Sequence, residues 1–415
     1  MSTEKNVFQQ VFALSKASNL VYNCTGTQDD LQKKFAQALP AALAAIGPQW
    51  TVAWGPVIWK DIVDRDDSNT CQGNAWFIAK NESVLFDDGK TYPTYVIAIA
   101  GTSGRYDWIL EDGIILPVVY IEQWATSSDI TTAPIPHMRP ILFESDSSPL
   151  ISQGIGEAVY ELLNNAPPEG SPGYPYTLPQ FLSSIKSPSS PADPAPKLVV
   201  TGHSLGGALS PSLAYTLVKA KALGPFAQEN VHVYPTAGPS PGNLAFREDF
   251  SKCFPSPAGP LTGYQHWNTN IVNKFDIVPC AYCTNPQYAP QVLAKIYTMF
   301  NPIPMPEAAS NAIGALKWAG GSVYVPLVAS FFDSDFPLPT SDSLTWMQEA
   351  HKQHVDAYSM LILGNEIQLG MCASTTTEQD AWGKHPVLSR IVAEARKLGE
   401  RDNILTEVGN ALEDL

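Results

Sequence analysis

Apolar residues recur at helical spacing twice near the start of the chain. Val7, Val11, Phe12 and Leu14 mark a helix within residues 6–22, and Leu31, Phe35, Leu39 and Leu43 mark a second over residues 28–46, which Pro48 and Trp50 bring to an end. The pattern then turns strand-like. Residues 51–59 and 74–79 mix apolar with β-branched side chains, and residues 95–100 (YVIAIA) are apolar throughout. A run of that kind offers no face to water, so it belongs in a sheet covered on both sides. Helical spacing returns over residues 155–163. Residues 164–197 are dense in proline, serine and glycine and read as loop, interrupted by a short helix at residues 178–185. Leu198, Val199 and Val200 form another buried strand, residues 205–223 are long enough for a helix, and strands follow at residues 230–234 and 270–278. Strands alternating with helices in this order predict an α/β fold with a mostly parallel sheet. Residues 300–345, rich in proline, glycine and apolar side chains, read as an insertion between two sheet elements.

Composition narrows what such a fold can serve. The 415 residues are 44% hydrophobic, enough for a large core. With 25 basic against 40 acidic residues, the formal charge of −15 argues against nucleic acid and against anionic membrane surfaces as partners, and favours an uncharged or apolar substrate. The longest apolar stretches fall short of the roughly 20 residues of a membrane span. The first 23 residues hold no uninterrupted apolar core and no small-residue cleavage site, so no secretion signal is expected and the compartment stays open. Six cysteines are sparse for this length. Cys280 and Cys283 have the spacing of a zinc or redox pair, but no second pair completes a ligand set; no metal or cofactor is expected, and one or two disulfides or buried thiols are. Asn23 and Asn81 head formal glycosylation sequons.

The chemistry concentrates where the strand at residues 198–200 meets its helix. Gly202-His203-Ser204-Leu205-Gly206 places a serine between two glycines, the sequence form of a nucleophile elbow, in which a serine at a tight strand-to-helix turn needs neighbours without bulk. A serine hydroxyl is a weak nucleophile near neutral pH. It requires a histidine base and an acid to orient that base, in chain order serine, acid, histidine. Candidate acids are Asp249, Asp276, Asp333, Asp335 and Asp342. Asp276 stands out because it leaves an apolar strand, and strand carboxyl ends are where functional groups of open α/β sheets gather. The later histidines are His351, His354 and His385. His354 leads because a helix-like segment, residues 357–363, follows it; His351 lies one turn earlier, and His385 sits in a polar, surface-like stretch. An oxyanion hole needs two backbone N–H donors. Leu205, after the serine, is one, and Thr102, after the strand at 95–100, is the natural second.

These segments together resemble the class 3 (fungal-type) lipase family of the α/β-hydrolase fold. The resemblance rests on residues 100–108 (AGTSGRYDW), the elbow at 201–208 (TGHSLGGA), residues 236–243 (TAGPSPGN) and residues 273–279 (NKFDIVP), with a weaker fifth match at residues 353–358 (QHVDAY). It implies a single α/β-hydrolase domain over 1–415, with insertions at about 109–150, 165–196 and 300–345. It implies Ser204, Asp276 and His354 as catalytic triad and Thr102 and Leu205 as oxyanion hole. It also implies lipid or other ester substrates, met at a lipid–water interface, with phospholipase or galactolipase activity and a non-catalytic lipase-like scaffold as alternatives. In the family an amphipathic lid follows the Asp-Trp block. Residues 109–135 occupy that place here, with a buried strand over 114–121 as the competing reading and residues 300–345 as a second candidate cover. Two departures stand out. Pro211 falls inside the elbow helix, where it removes a backbone hydrogen bond and should kink or loosen it, and Ala100 replaces the usual arginine.

Overall fold

The computed structural model describes residues 5–372 except 48, 102–114, 116, 128–129, 139–146, 188–189, 191–193, 259, 339–344 and 366–370. Two helices come first, α1 (Val7–Ala17) and α2 (Gln28–Ile46). Both starts are capped. Asn6 and Gln9 bond reciprocally in a capping box on α1, while the Thr27 hydroxyl accepts from the Asp30 N–H and Asp29 and Asp30 lie in the first turn of α2, where carboxylates meet the positive end of the helix dipole. Leu31, Phe35, Leu39 and Leu43 form the buried stripe of α2, as their spacing of four predicts.

The main sheet has seven strands among the described residues. They are β1 (Thr51–Trp59), β2 (Asn74–Leu85), β3 (Thr91–Ile99), β7 (Lys197–His203), β8 (Val231–Thr236), β9 (Asn270–Asn273) and β10 (Ala329–Phe332), neighbours in that order. A second, three-stranded sheet comprises β4 (Pro117–Tyr120), β5 (His137–Met138) and β6 (Leu150–Ser152), with β4 in the middle. In the main sheet β2 runs antiparallel to both its neighbours, and from β3 onward every pairing is parallel. The carboxyl ends of β3, β7, β8, β9 and β10 therefore open onto one edge, which is the mostly parallel α/β arrangement expected.

The two faces of the sheet bury different partners, and the strands read accordingly. Tyr95, Ile97 and Ile99 of β3 point into one core with Leu198 and Val200; Val96, Ala98 and Ala100 point into the other with Val199. Period-two alternation between two apolar layers explains why neither strand has a polar face. The first layer holds α3 (Ile121–Thr126), α4 (Gln153–Asn164), α5 (Leu178–Ser184) and α6 (Leu205–Lys219). α7 (Leu244–Cys253) joins it through Phe246 and Phe250. The second holds α1, α2 and, near the end of the described chain, α11 (Ala357–Leu363). A third apolar cluster joins α8 (Leu293–Ile296), α9 (Glu307–Gly320) and α10 (Trp346–His351) to Ile115 and to Ile277 and Val278, just beyond β9. The Cys24–Cys372 disulfide links the loop after α1 to the last described segment. Cys280 and Cys283 are buried thiols whose sulfurs bond to backbone carbonyls.

Several boundaries differ from the sequence reading, each for a local reason. The strand expected over 270–278 stops at Asn273, because the Asn273 carbonyl and side chain accept from the Asp276 and Phe275 N–H groups and close a turn. The helix after Ser204 ends at Lys219 rather than 223. Lys221 adopts φ 55°, and the Ala222 and Lys221 N–H groups bond back to Leu217 and Val218, a Schellman stop. α6 runs on through Pro211, with Ser212 Oγ donating to the Ala208 carbonyl (2.9 Å) one turn back. The lid expected over 109–135 does not hold for 117–126. There β4 is paired on both sides, Val118 and Val119 are buried, and α3 buries Ile121 and Trp124 in the first core. Residues 109–114 and 116 lie outside the described residues. The stretch 300–345, read as an insertion, also contributes β10 to the main sheet beside β9.

Phe35 is fully buried on α2 and meets Phe77 of β2 edge-on at 6.1 Å. Phe35→Ala should lower stability by about 3–5 kcal/mol, read as a fall in the urea midpoint without a change in slope.

Candidate active site

The elbow is built by close approach of backbones. A side chain at Gly202 would collide with Gly206, and one at Gly206 would come within 2.5 Å of the Ile99 carbonyl, so both positions must stay bare for α6 to start directly over the ends of β3 and β7. Between them Ser204 sits at φ 60°, ψ −126°, a conformation that costs a non-glycine residue about 1–3 kcal/mol and persists only where the surroundings enforce it. They do so here. The Ser204 N–H donates to the Thr236 carbonyl at the end of β8 (3.0 Å), and its own carbonyl accepts from Gly207 (2.8 Å). Ser204 is buried and stands immediately before the first residue of α6, Leu205, whose N–H belongs to the helix turn that lacks intrahelical acceptors.

Asp276 lies in the turn leaving β9, with 1% of its surface exposed. Its two oxygens accept from His354 Nδ1 (2.9 and 3.0 Å), Tyr358 Oη (2.7 Å) and the Val278 N–H (3.0 Å). An ionised carboxylate only accepts, so His354 Nδ1 is the donor in this pair. His354 is held by unusual backbone. Lys352–Asp356 forms a π-helical turn between α10 and α11, the kind of local insertion that re-aims a side chain within a helix. Asn273 fastens this turn to the acid's turn, its Nδ2 donating to both the Gln353 carbonyl (2.8 Å) and Gln353 Oε1 (2.9 Å).

The sequence candidates thus separate. Asp276 and His354 are in direct contact, and Ser204 follows His203, whose ring lies 4.8 Å from the His354 ring. Leu205 is at the head of α6 beside them. Thr102 lies outside the described residues; its neighbour Gly101 is described, with its N–H donating to Asn19 Oδ1 (3.0 Å) and its α-carbon so close that a side chain there would meet Ser204 Cβ at 3.1 Å. His351 ends α10, and it is His354, not His351, that meets Asp276. Among the other acids, Asp249 pairs with Lys219 and Tyr215, Asp333 pairs with Lys274, and Asp335 is exposed. Asp342 and His385 lie outside the described residues.

Three contributors escaped the sequence reading. Tyr358 donates to Asp276 while accepting the Asn273 N–H (3.0 Å); burial first, and then the Asp276 charge, push its phenol well above its ordinary range, so it stays a donor. The signal was its place four residues after His354. His203 donates from or accepts at Nδ1 with Thr236 Oγ1 (2.9 Å), and burial, then the Lys16 charge, hold its pKa well below the usual histidine range. Asn19, distant in sequence, gave no signal. Among the described residues there is no cluster of three or more metal-ligating side chains, and no helix is long and apolar enough to cross a membrane.

Residues 118–285 match the sequence pattern of lipase (class 3), and this segment carries both Ser204 and Asp276. That segment is similar to the class 3 lipases. Among solved structures, M37 lipase is similar over 88% of this chain and 96% of its own, at 22% identity and a TM-score of 0.61, and the chain shares its α/β-hydrolase fold. Lip2 lipase from Yarrowia lipolytica is similar over 86% of this chain and 94% of its own at 15% identity, and the Rhizomucor miehei lipase propeptide complex over 88% and 83% at 17%. Their TM-scores of 0.41 and 0.39 are too low to inform details here. No curated protein matches the chain in sequence.

Replacing Tyr358 with Phe removes one charge-assisted bond to Asp276 and leaves the buried Asn273 N–H without its acceptor. It should cost about 1.5–3 kcal/mol, measured by chemical denaturation at neutral pH.

Proposed function

We propose that this lipase-type hydrolase cleaves carboxylic esters of the acylglycerol type through an acyl-Ser204 intermediate. The observation that carries the reading is the buried Asp276–His354 pair, oriented by Tyr358 and Asn273, with the His354 ring 4.8 Å from that of His203, the residue before a serine in a strained turn. In the proposed reaction His354 Nε2 takes the Ser204 hydroxyl proton as Oγ attacks the ester carbonyl carbon. Asp276 offsets the positive charge that forms on the imidazole. The carbonyl oxygen becomes an oxyanion, held by the N–H groups of Leu205 and Thr102. Collapse breaks the carbon–alkoxy bond, and His354 gives its proton to the departing alcohol. Water then enters, loses a proton to His354, and releases the fatty acid and free serine by the same steps in reverse.

Substrate class follows from the surroundings more than from the triad. The third apolar cluster packs Ile277, Val278 and Ile115 with α9 at the edge where the strands end, and apolar surroundings there favour an apolar substrate. The formal charge of −15 disfavours anionic head groups, so neutral esters are the better fit.

Ser204→Ala should reduce p-nitrophenyl ester hydrolysis by about 10⁴- to 10⁶-fold with the circular dichroism spectrum intact; retained activity would sink the assignment. His354→Ala should match that loss and His351→Ala should not. A chain-length series of glycerides and phospholipids, assayed above and below their solubility limits, tests the substrate. Smooth saturation with preference for short chains would replace a lipase by a soluble esterase.

A further inference from the structure

One ionisable group behind the elbow has no role in the scheme above. Lys16, on α1, is 5% exposed, and its Nζ has no hydrogen-bond partner among the described residues. Its contact is with the Phe12 ring, 5.1 Å away on the preceding turn. The Phe12 ring in turn meets the His203 ring edge-on at 6.2 Å, and His203 faces His354 at 4.8 Å. The amine therefore stands behind the histidine that precedes the nucleophile, with a ring pair leading to the base. A buried, unpaired amine is costly, and an apolar side chain of similar length would fill the same space without that cost.

We propose that Lys16 is a positioning residue that keeps His354 unprotonated as the medium acidifies. The reasoning rests on the hydrolase reading for its consequence on rate, but not for the electrostatics. Burial brings the Lys16 pKa from 10.5 down to about 7, partly opposed by the Asp356 carboxylate. Lys16 thus gains its charge as pH falls through neutrality, and that charge opposes a second positive charge on His203 or His354. The ionisable groups facing this region are Asp276 after β9, bonded to His354, Tyr358 on α11, Asp356 beside α11, His203 on β7, His351 at the end of α10 and His354 on the π-turn. His203 already responds in this sense, since burial first, then Lys16 and His354, depress its pKa. The Lys16 charge thereby opposes the Asp276 carboxylate, which favours the charged imidazole, and leaves the base freer to accept the Ser204 proton than it would be without Lys16.

The sign for stability is also fixed. Below about pH 7 the folded protein holds a buried ammonium. As pH rises from about 7 toward 10.5 the folded amine is neutral while the unfolded one is still charged, so this cost is relieved across that window.

Lys16→Met tests the proposal. Histidine ring NMR, in a Ser204→Ala background that needs no turnover, should show His354 gaining its proton at a pH about half a unit higher than with Lys16 present, as expected for removal of a nearby charge in a medium of intermediate dielectric. The acid limb of the kcat/KM profile should move the same way in the otherwise unaltered enzyme, with the alkaline plateau within about twofold. The variant should also melt a few degrees higher at pH 6, with a smaller gain at pH 10. A displacement of the His354 titration of less than about 0.2 unit overturns the proposal, and Lys16→Gln, uncharged but polar, decides the question by the same criterion if the Met variant does not fold. Absence of ester hydrolysis in the unaltered protein would remove the hydrolase reading and leave the titration result standing.

Discussion

A carboxylate with almost no exposure must have its lone pairs filled, and Asp276 shows what that requirement does to a fold. Its partners come from the turn that carries it and from a helix about 80 positions further on, with His354 at 2.9 Å and Tyr358 at 2.7 Å. Each partner is useful only if α11 stands at one height beside the end of β9. Asn273 sets that height, since its backbone N–H reaches Tyr358 and its side chain reaches Gln353. The π-turn is the remaining adjustment. It delivers His354 and Tyr358 to the same carboxylate while the flanking α10 and α11 remain packed in separate apolar clusters.

The elbow imposes the complementary constraint on the other side. Gly202 and Gly206 let α6 begin against the carbonyls of β3, and the Thr236 carbonyl then fixes Ser204 from β8. The sheet's covering on both faces makes this strain tolerable. Strands locked between two apolar layers cannot relax by tilting toward water, so the local cost at Ser204 is held by the whole core.

Much of this was legible in the chain. The stripe of α2, the all-apolar β3 and the glycine-flanked serine each express a constraint that acts within a few residues. What failed to show was long-range or self-cancelling. His351 and His354, three apart, share a face of any α-helix, and only the π-turn distinguishes them by contact with Asp276. The strand run at 270–278 concealed a turn because Asn273 uses its own side chain to close it. β10 sits in a stretch whose prolines and glycines dominate the local pattern, and its place in the sheet comes from pairing with β9. Lys16 carries no signal at all, since a lysine on a short helix is ordinarily solvated, and its burial depends on a β-strand nearly two hundred residues away.

The segment that carries the family pattern, residues 118–285, contains the elbow and the acid but neither of the helices that face them. α1 supplies Asn19's loop behind Gly101, and the segment from α10 to α11 supplies His354, Tyr358 and Gln353. Cys24 and Cys372 join these two outlying portions to each other. The recognisable core of the chain is accordingly not a self-sufficient unit. The candidate site is a joint assembled from the opposite extremes of the described polypeptide, so a protein trimmed to the part that sequence comparison recognises would keep Ser204 and Asp276 and lose His354, Tyr358 and Gln353.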